Sequence, residues 1–252
     1  MLADVRRLYR ESLKPADSLF NLYVARPPAA LFVKLLAGTR TTPNQVTLVS
    51  LVIMLAAVGA FLGFAGPLGL WLGVALVELS YVFDCVDGQL ARVTGRTSVV
   101  GAELDFLMDE LKAYLLVAAL AGRWHLHDGG GVLALWIGVA TLAVVAAAIS
   151  LTKFVRSREY AEATGAQRVG HGQAAGAARA RTSPLWPIEM AARLISQYPQ
   201  TLPIFALFGA MDAFLYAYGA VHLLYVGRTA LAVTLKLGRF APRPGADERH
   251  DG

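Results

Sequence analysis

Residues 41–77 read TTPNQVTLVSLVIMLAAVGAFLGFAGPLGLWLGVALV and contain no charged side chain. A helix needs about 20 mainly apolar residues to cross a membrane. This stretch is therefore long enough for one spanning helix, a turn at Gly66–Pro67 and the start of a second helix. Further uncharged stretches occupy residues 129–152, 194–211 and 213–227. The distribution of charge predicts an all-α, integral membrane protein.

The composition excludes several other classes of protein, although it does not settle the membrane class by itself, because alanine inflates the apolar count. Of the 252 residues, 56% are apolar and 16% are charged, whereas average soluble domains have about 45–50% and about 25%. These values exclude a disordered chain, a collagen-like chain and a nucleic-acid-binding tail protein. The net charge of +5 is typical of membrane proteins, because Lys and Arg collect in their cytoplasmic loops. We therefore expect a lipid bilayer, and no nucleic acid, among the partners.

Six transmembrane helices are predicted, at residues 45–65, 68–93, 101–122, 131–152, 194–211 and 213–236. Residues 1–40 have helix-like apolar spacing interrupted at Pro27–Pro28, which predicts two short amphipathic helices in the membrane interface. The transmembrane domain is expected to cover residues 41–238. Within it, the Gly/Ala/Arg-rich segment 153–193 is predicted to be flexible and cytoplasmic. The tail, residues 239–252, is expected to be disordered.

Basic residues alternate along the predicted loops. Residues 1–40 contain seven, segment 153–193 contains seven, and Arg228 onward contains five, while Arg92 and Arg96 lie between the second and third spans. The other three loops contain only Arg123. The positive-inside rule then places both termini on the cytoplasmic side of the inner membrane. The ends of spans two and three face the same side.

Four aspartates lie at those two cytoplasmic ends: Asp84, Asp87, Asp105 and Asp109. The members of each pair are three or four residues apart and so share one helix face. The turn Thr94–Arg96 predicts that the two helices are antiparallel neighbours. An ionised carboxylate at the centre of a membrane helix costs about 2.5–3.5 kcal/mol, so we expect compensating partners. Facing carboxylate pairs suit hard cations such as Mg²⁺ or Mn²⁺.

The spacing of these residues resembles the signature of the CDP-alcohol phosphatidyltransferase family. The signature D-x₂-D-G-x₂-A-R-x₈-G-x₃-D-x₃-D is matched at all eight fixed positions, by Asp84, Asp87, Gly88, Ala91, Arg92, Gly101, Asp105 and Asp109. Eight fixed positions at fixed spacing make a chance match improbable. The motif itself covers 26 residues, from 84 to 109.

The resemblance implies a reaction. A substituted phosphoryl group moves from a CDP-linked donor to an acceptor hydroxyl and CMP is released, in the synthesis of phospholipids or related phosphodiesters. The donor would be CDP-diacylglycerol or a soluble CDP-alcohol such as CDP-inositol. The four aspartates would bind two Mg²⁺ or Mn²⁺ ions, and Asp109 would also act as the general base. Because members of the family are typically dimers, we expect a homodimer.

The resemblance also implies which residues contact the donor. These are Asn44, Thr47, Gly88, Ala91, Arg92, Ser98 and Gly101. Arg92 would bind phosphate, although an arginine at a helix end also snorkels to the membrane interface. Asn44 and Thr47 fit helix N-capping equally well. Candidates for an anionic group on the acceptor are Lys112, Lys153, Arg156 and Arg158. An ion pair with a carboxylate is the alternative for Lys112, and ordinary loop charge is the alternative for the other three.

Two other classes of function remain open. A divalent-cation transporter would use the four aspartates as its ion site, but it would not need Gly88, Ala91 or Arg92. An inactive scaffold should have lost at least one motif position, and none is lost.

Overall fold

The computed structural model describes Tyr9, residues 20–164 and residues 186–237. Within these ranges the chain is helical apart from short connections and contains no strand. A π-helical turn, Asn21–Ala25, leads directly into α1, Arg26–Leu36. The helices that follow are α2 (Pro43–Gly63), α3 (Gly66–Thr94), α4 (Val99–Leu126), α5 (Gly131–Arg156), α6 (Arg158–Thr164), α7 (Trp186–Ser196), α8 (Tyr198–Leu207) and α9 (Met211–Leu237). The prediction of an all-α fold is confirmed for the described part of the chain.

Three described helices, α2, α3 and α5, are long and apolar enough to cross a membrane. Helices α4 and α9 have 28 and 27 residues, which at about 1.5 Å per residue exceeds the roughly 30 Å of a bilayer core. Both helices contain charged residues, which are Glu103, Asp105, Asp109, Glu110, Lys112 and Arg123 in α4 and Asp212, Arg228 and Lys236 in α9. The first four predicted spans agree with the bounds of α2 to α5 to within four residues.

The region of the predicted fifth span, residues 194–211, contains a break in the helix. Helix α7 ends at Ser196 and α8 begins at Tyr198, while Gln197 between them has φ −92° and ψ 76°. Pro199 lies in the first turn of α8 and Pro203 lies inside it. Proline has no N–H to donate to the preceding turn of a helix, and its ring clashes with that turn. The two prolines therefore favour the break.

The N-terminal segment also differs from its prediction at the proline pair. The π-helical turn continues into α1 without interruption, and Pro27 and Pro28 lie in the first turn of α1. A proline is tolerated there because the N–H groups of a first turn have no partner within the helix. Helix α1 buries Ala29, Ala30 and Val33 against the end of α3.

Several predicted segments fall partly or wholly outside the described residues. These are the segment before residue 20, the centre of the predicted flexible segment 153–193 and the tail 239–252. The described ends of segment 153–193 are helical, in α5, α6 and α7.

Helix α2 organises the end of the bundle that contains the aspartates. It packs closely against both α3 and α4, whereas the backbones of α3 and α4 approach each other little. The two helices are thus neighbours through their side chains, such as Asp84 and Lys112, rather than through close backbone packing. Their polar side chains meet across the space between them, and we call this space, around Asp84, Asp105, Asp109 and Lys112, the cleft.

A glycine and an arginine hold the helices together at the end of the bundle opposite the aspartates. A Cβ atom on Gly73 of α3 would lie 2.5 Å from the ring of Phe61 in α2, so only glycine permits this close helix contact. Arg123, at the end of α4, is buried and donates hydrogen bonds to the carbonyl oxygens of Phe64 (3.2 Å) and Gly66 (2.9 Å). It also pairs with Asp128 at 3.0 Å. These contacts hold α4 against the α2–α3 turn.

Candidate active site

The turn between α3 and α4 places the motif residues on both sides of the cleft. Gly95 ends α3 with a left-handed φ of +66°, a conformation that glycine adopts without strain. The N–H groups of Gly95 and Arg96 donate to the carbonyl oxygen of Ala91. Ser98 begins α4 as its N-cap and accepts a hydrogen bond from the N–H of Gly101 at 2.9 Å. Motif residues that are distant in the sequence thus meet at one helix–turn–helix.

Three of the four aspartates converge. One carboxylate oxygen from each of Asp84, Asp105 and Asp109 lies within 4.8 Å of the others. The side chain of Asp84 is 14% exposed and that of Asp109 is 51% exposed. The cluster therefore has a closed side at Asp84 and an open side at Asp109.

The fourth aspartate, Asp87, lies beside this cluster. It is buried, and its Oδ2 accepts a hydrogen bond of 2.6 Å from the hydroxyl of Thr47. Electrostatic interactions link Asp87 to Asp84 and Asp105. The hydroxyl of Thr47, which the sequence assigned to the nucleotide, is thus directed at the carboxylate of Asp87.

Lys112 lies inside the acidic cluster. Its side chain is 1% exposed, its Nζ contacts Oδ1 of Asp84, and it is 2.8 Å from Oδ1 of Asp109. For Lys112, the sequence left open whether it binds the acceptor or pairs with a carboxylate. The structure has the ion pair. It also supplies part of the compensation that the buried aspartates require.

The predicted donor residues form two groups of contacts, one at Gly101 and one at Gly88. A Cβ atom on Gly101 would lie 3.0 Å from Oγ of Ser98 and 3.3 Å from Oδ1 of Asn44, so these three residues are in contact at the start of α2 and α4. A Cβ atom on Gly88 would lie 3.3 Å from Nη1 of Arg92, so the guanidinium group covers Gly88. Each of the two glycines thus has polar side chains beside it: Ser98 and Asn44 at Gly101, and Arg92 at Gly88.

The start of α2 has a capping box of its own. Thr42 accepts a hydrogen bond from the N–H of Gln45, and the side chain of Gln45 accepts one from the N–H of Thr42. The capping function that the sequence allowed for Asn44 and Thr47 is thus performed by Thr42, and the side chain of Asn44 remains exposed beside Ser98 and Gly101.

The basic residues at the end of α5 and the start of α6 lie apart from the aspartates. Lys153 lies 3.9 Å from Glu110 and 5.5 Å from the ring centroid of Phe106, both on α4. Arg158 pairs with Glu162 one turn later at 2.5 Å. Arg156 is the exposed last residue of α5. Of the four predicted acceptor residues, only Lys112 contacts the aspartates.

Tyr198 is a residue that the sequence did not indicate. It begins α8 directly after the break at Gln197, and its phenol interacts electrostatically with Lys112, Asp109 and Asp84. The signal for it was the polar interruption Ser-Gln-Tyr-Pro within an uncharged stretch. The helix break thus brings a second polar segment to the cluster.

Three converging carboxylates, with a fourth beside them, form an all-oxygen donor set. Such a set suits Mg²⁺ or Mn²⁺ and is a poor match for softer metals. Together with the guanidinium group of Arg92, it can hold a phosphate-bearing ligand through a bound cation.

Comparison with known proteins agrees with this geometry. Residues 40–235 match the family model described as CDP-alcohol phosphatidyltransferase. The chain is 38% identical over 106 residues to the archaetidylinositol phosphate synthase of Aeropyrum pernix, covering 41% of this chain and 51% of that protein.

Two bacterial relatives are named bifunctional IPC transferase and DIPP synthase. The chain is 42% identical over 86 residues to that of Rubrobacter xylanophilus, covering 34% of this chain and 19% of the relative. It is 34% identical over 80 residues to that of Aquifex aeolicus, covering 32% and 18%. The matches thus span about half of one curated relative and under a fifth of the other two. Since the family model covers most of the sequence, this chain belongs to the CDP-alcohol phosphatidyltransferase family.

Proposed function

We propose that this protein transfers a substituted phosphoryl group from a CDP-linked donor to the hydroxyl of an alcohol and releases CMP, in the synthesis of a phospholipid or related phosphodiester. The observation that carries the proposal is the convergence of Asp84, Asp105 and Asp109 within 4.8 Å at an open cleft. A structural polar cluster would not need the exposed carboxylate of Asp109.

The carboxylates are proposed to hold two divalent cations, Mg²⁺ or Mn²⁺. The ligands would be Asp84, Asp87, Asp105 and Asp109, and the all-oxygen donor set fits such ions. When bound, the ions would neutralise the diphosphate of the donor and stabilise the charge of the leaving nucleotide.

The side chains around the cleft are proposed to position the reactants. Arg92 would bind a phosphate of the nucleotide, and Asn44, Ser98 and Gly101 would contact its other parts, with Gly88 and Ala91 leaving room for it. Thr47 would act through Asp87, to which its hydroxyl donates.

Asp109 is proposed as the general base. Its carboxylate is half exposed and can accept the proton of the acceptor hydroxyl as the oxygen attacks phosphorus. The new P–O bond forms while the bond to the bridging oxygen of CMP breaks, and CMP leaves with that electron pair. Lys153, Arg156 and Arg158 would attract an anionic acceptor.

The substrates are proposed to include an inositol phosphate group. This step is supported by the name of one relative, archaetidylinositol phosphate synthase. The group would belong either to the acceptor, with CDP-diacylglycerol as donor, or to a soluble donor such as CDP-inositol.

We also propose how the helices are arranged in the membrane. The three apolar helices and the family indicate an integral membrane protein. We propose six spans, formed by α2, α3, α4, α5, the broken pair α7–α8, and α9. The alternation of basic residues supports an inner-membrane location with both termini and the cleft on the cytoplasmic side. The N-terminal segment would lie in the interface, and the protein would be a homodimer.

A CMP-release screen tests the proposed function. Purified protein is given CDP-diacylglycerol, CDP-inositol or CDP-choline, each with glycerol 3-phosphate, inositol, inositol phosphate, serine or diacylglycerol. We expect CMP from at least one pair in Mg²⁺. Asp109→Asn should abolish it, whereas Asp212→Asn, an exposed aspartate at the start of α9, should not. A cation transporter would release no CMP with any pair.

A further inference from the structure

We propose that Lys112 is a positioning residue that acts as an internal counter-cation of the acidic cluster and competes with divalent cations for Asp84 and Asp109. This inference rests on the metal site of the proposed function and assigns to that site a residue outside the family motif.

The contacts of Lys112 carry the inference. A lysine that is 1% exposed is rare unless its charge is paired, and here the Nζ touches two of the three converging carboxylates. One partner, Asp84, lies on α3, and the other, Asp109, lies on α4 beside Lys112 itself. Since the backbones of α3 and α4 approach each other little, this bridge is a direct link between the two sides of the cleft.

The same contacts imply competition. The ammonium group lies against carboxylate oxygens that a divalent ion would also use, so an ion that binds both aspartates must displace it. Lysine can respond, because its charge is carried on a flexible four-carbon chain. Lys112 would thus set the cation concentration at which the site fills.

Binding of Mn²⁺ to the full chain in detergent, measured by electron paramagnetic resonance of the free ion, tests the proposal. Lys112→Met and Lys112→Gln should bind Mn²⁺ about tenfold more tightly than the unaltered protein, because a competing unit charge is gone. Lys112→Arg keeps the charge and should not bind more tightly. Lys236→Met, which removes an exposed lysine at the end of α9, is the matched control and should leave the affinity unchanged. Equal or weaker Mn²⁺ binding by the two neutral variants would overturn the proposal.

Thermal unfolding separates this role from a merely structural one. Loss of a structural lysine lowers the melting temperature equally in EDTA and in Mn²⁺. Loss of a competing cation makes the rise in melting temperature on adding Mn²⁺ larger in Lys112→Met than in the unaltered protein. An equal rise would contradict the inference.

Neither measurement uses turnover, so the two proposals fail separately. Tighter Mn²⁺ binding in the neutral variants without any CMP release would support the role of Lys112 and refute the proposed function. CMP release with unchanged Mn²⁺ affinity in those variants would support the proposed function and refute the role of Lys112.

Discussion

Replacing Thr47 with valine removes the hydroxyl that orients Asp87 and keeps a side chain of similar shape. The hydroxyl donates to Oδ2 of Asp87 at 2.6 Å, and the two residues are only 3% and 4% exposed. A hydrogen bond to a charged group contributes about 1.5–3 kcal/mol. When all of this free energy is lost from the stabilisation of the transition state, the rate of CMP release falls by roughly 10-fold to 150-fold.

The assay is kcat/KM for CMP release with the best donor and acceptor pair of the screen. Thr47→Ser keeps the hydroxyl and should retain most activity. Ser50→Ala removes another buried hydroxyl of α2, whose hydrogen bond goes to the carbonyl oxygen of Thr47 at 2.8 Å, and it should also remain active. The reasoning is refuted if Thr47→Val stays within about twofold of the unaltered enzyme.

Three further outcomes are expected. Gly101→Ala should raise the KM for the CDP-linked donor, because the added Cβ would lie 3.0 Å from Oγ of Ser98. Gly227→Ala is the control, because a Cβ there would have no neighbour within 4 Å. Equal KM values for Gly101→Ala and the unaltered enzyme would count against the donor role of Gly101. Arg123→Met should destabilise the protein by about 1.5–3 kcal/mol, the contribution of a hydrogen bond to a charged group, because the buried guanidinium group donates to the carbonyl oxygens of Phe64 and Gly66. The kcat at low temperature should be unchanged, and an unaltered melting temperature would contradict this. Exhaustive chelation with EDTA should abolish CMP release and Mg²⁺ should restore it, so activity that persists without metal would contradict the metal proposal.

The sequence predicted the features that depend on local rules. The uncharged stretches located α2, α3 and α5 to within a few residues, because an apolar helix is the simplest way to satisfy backbone groups in lipid. The spacing of Asp84 to Asp109 predicted facing carboxylates, since residues three and four apart share a helix face. Three of these four carboxylates converge in the structure.

Features that depend on contacts between helices could not be predicted in the same way. Nothing in the motif shows that α2 packs against both α3 and α4 and leaves a cleft between them. The burial of Lys112 depends on that cleft, because on an isolated helix its charge would reach solvent. The position of Tyr198 depends on the break at Gln197. Hydropathy averaged along the sequence does not detect a break within an apolar stretch.

The central claim is that carboxylates from two helices converge to hold divalent cations at an open cleft. Anomalous diffraction from crystals of the protein soaked in Mn²⁺ tests it most directly. We expect an anomalous peak at about 2.1 Å from carboxylate oxygens of Asp84, Asp105 and Asp109, close to the distance at which Mg²⁺ binds oxygen. A peak located elsewhere, with these three carboxylates directed apart, would contradict the account.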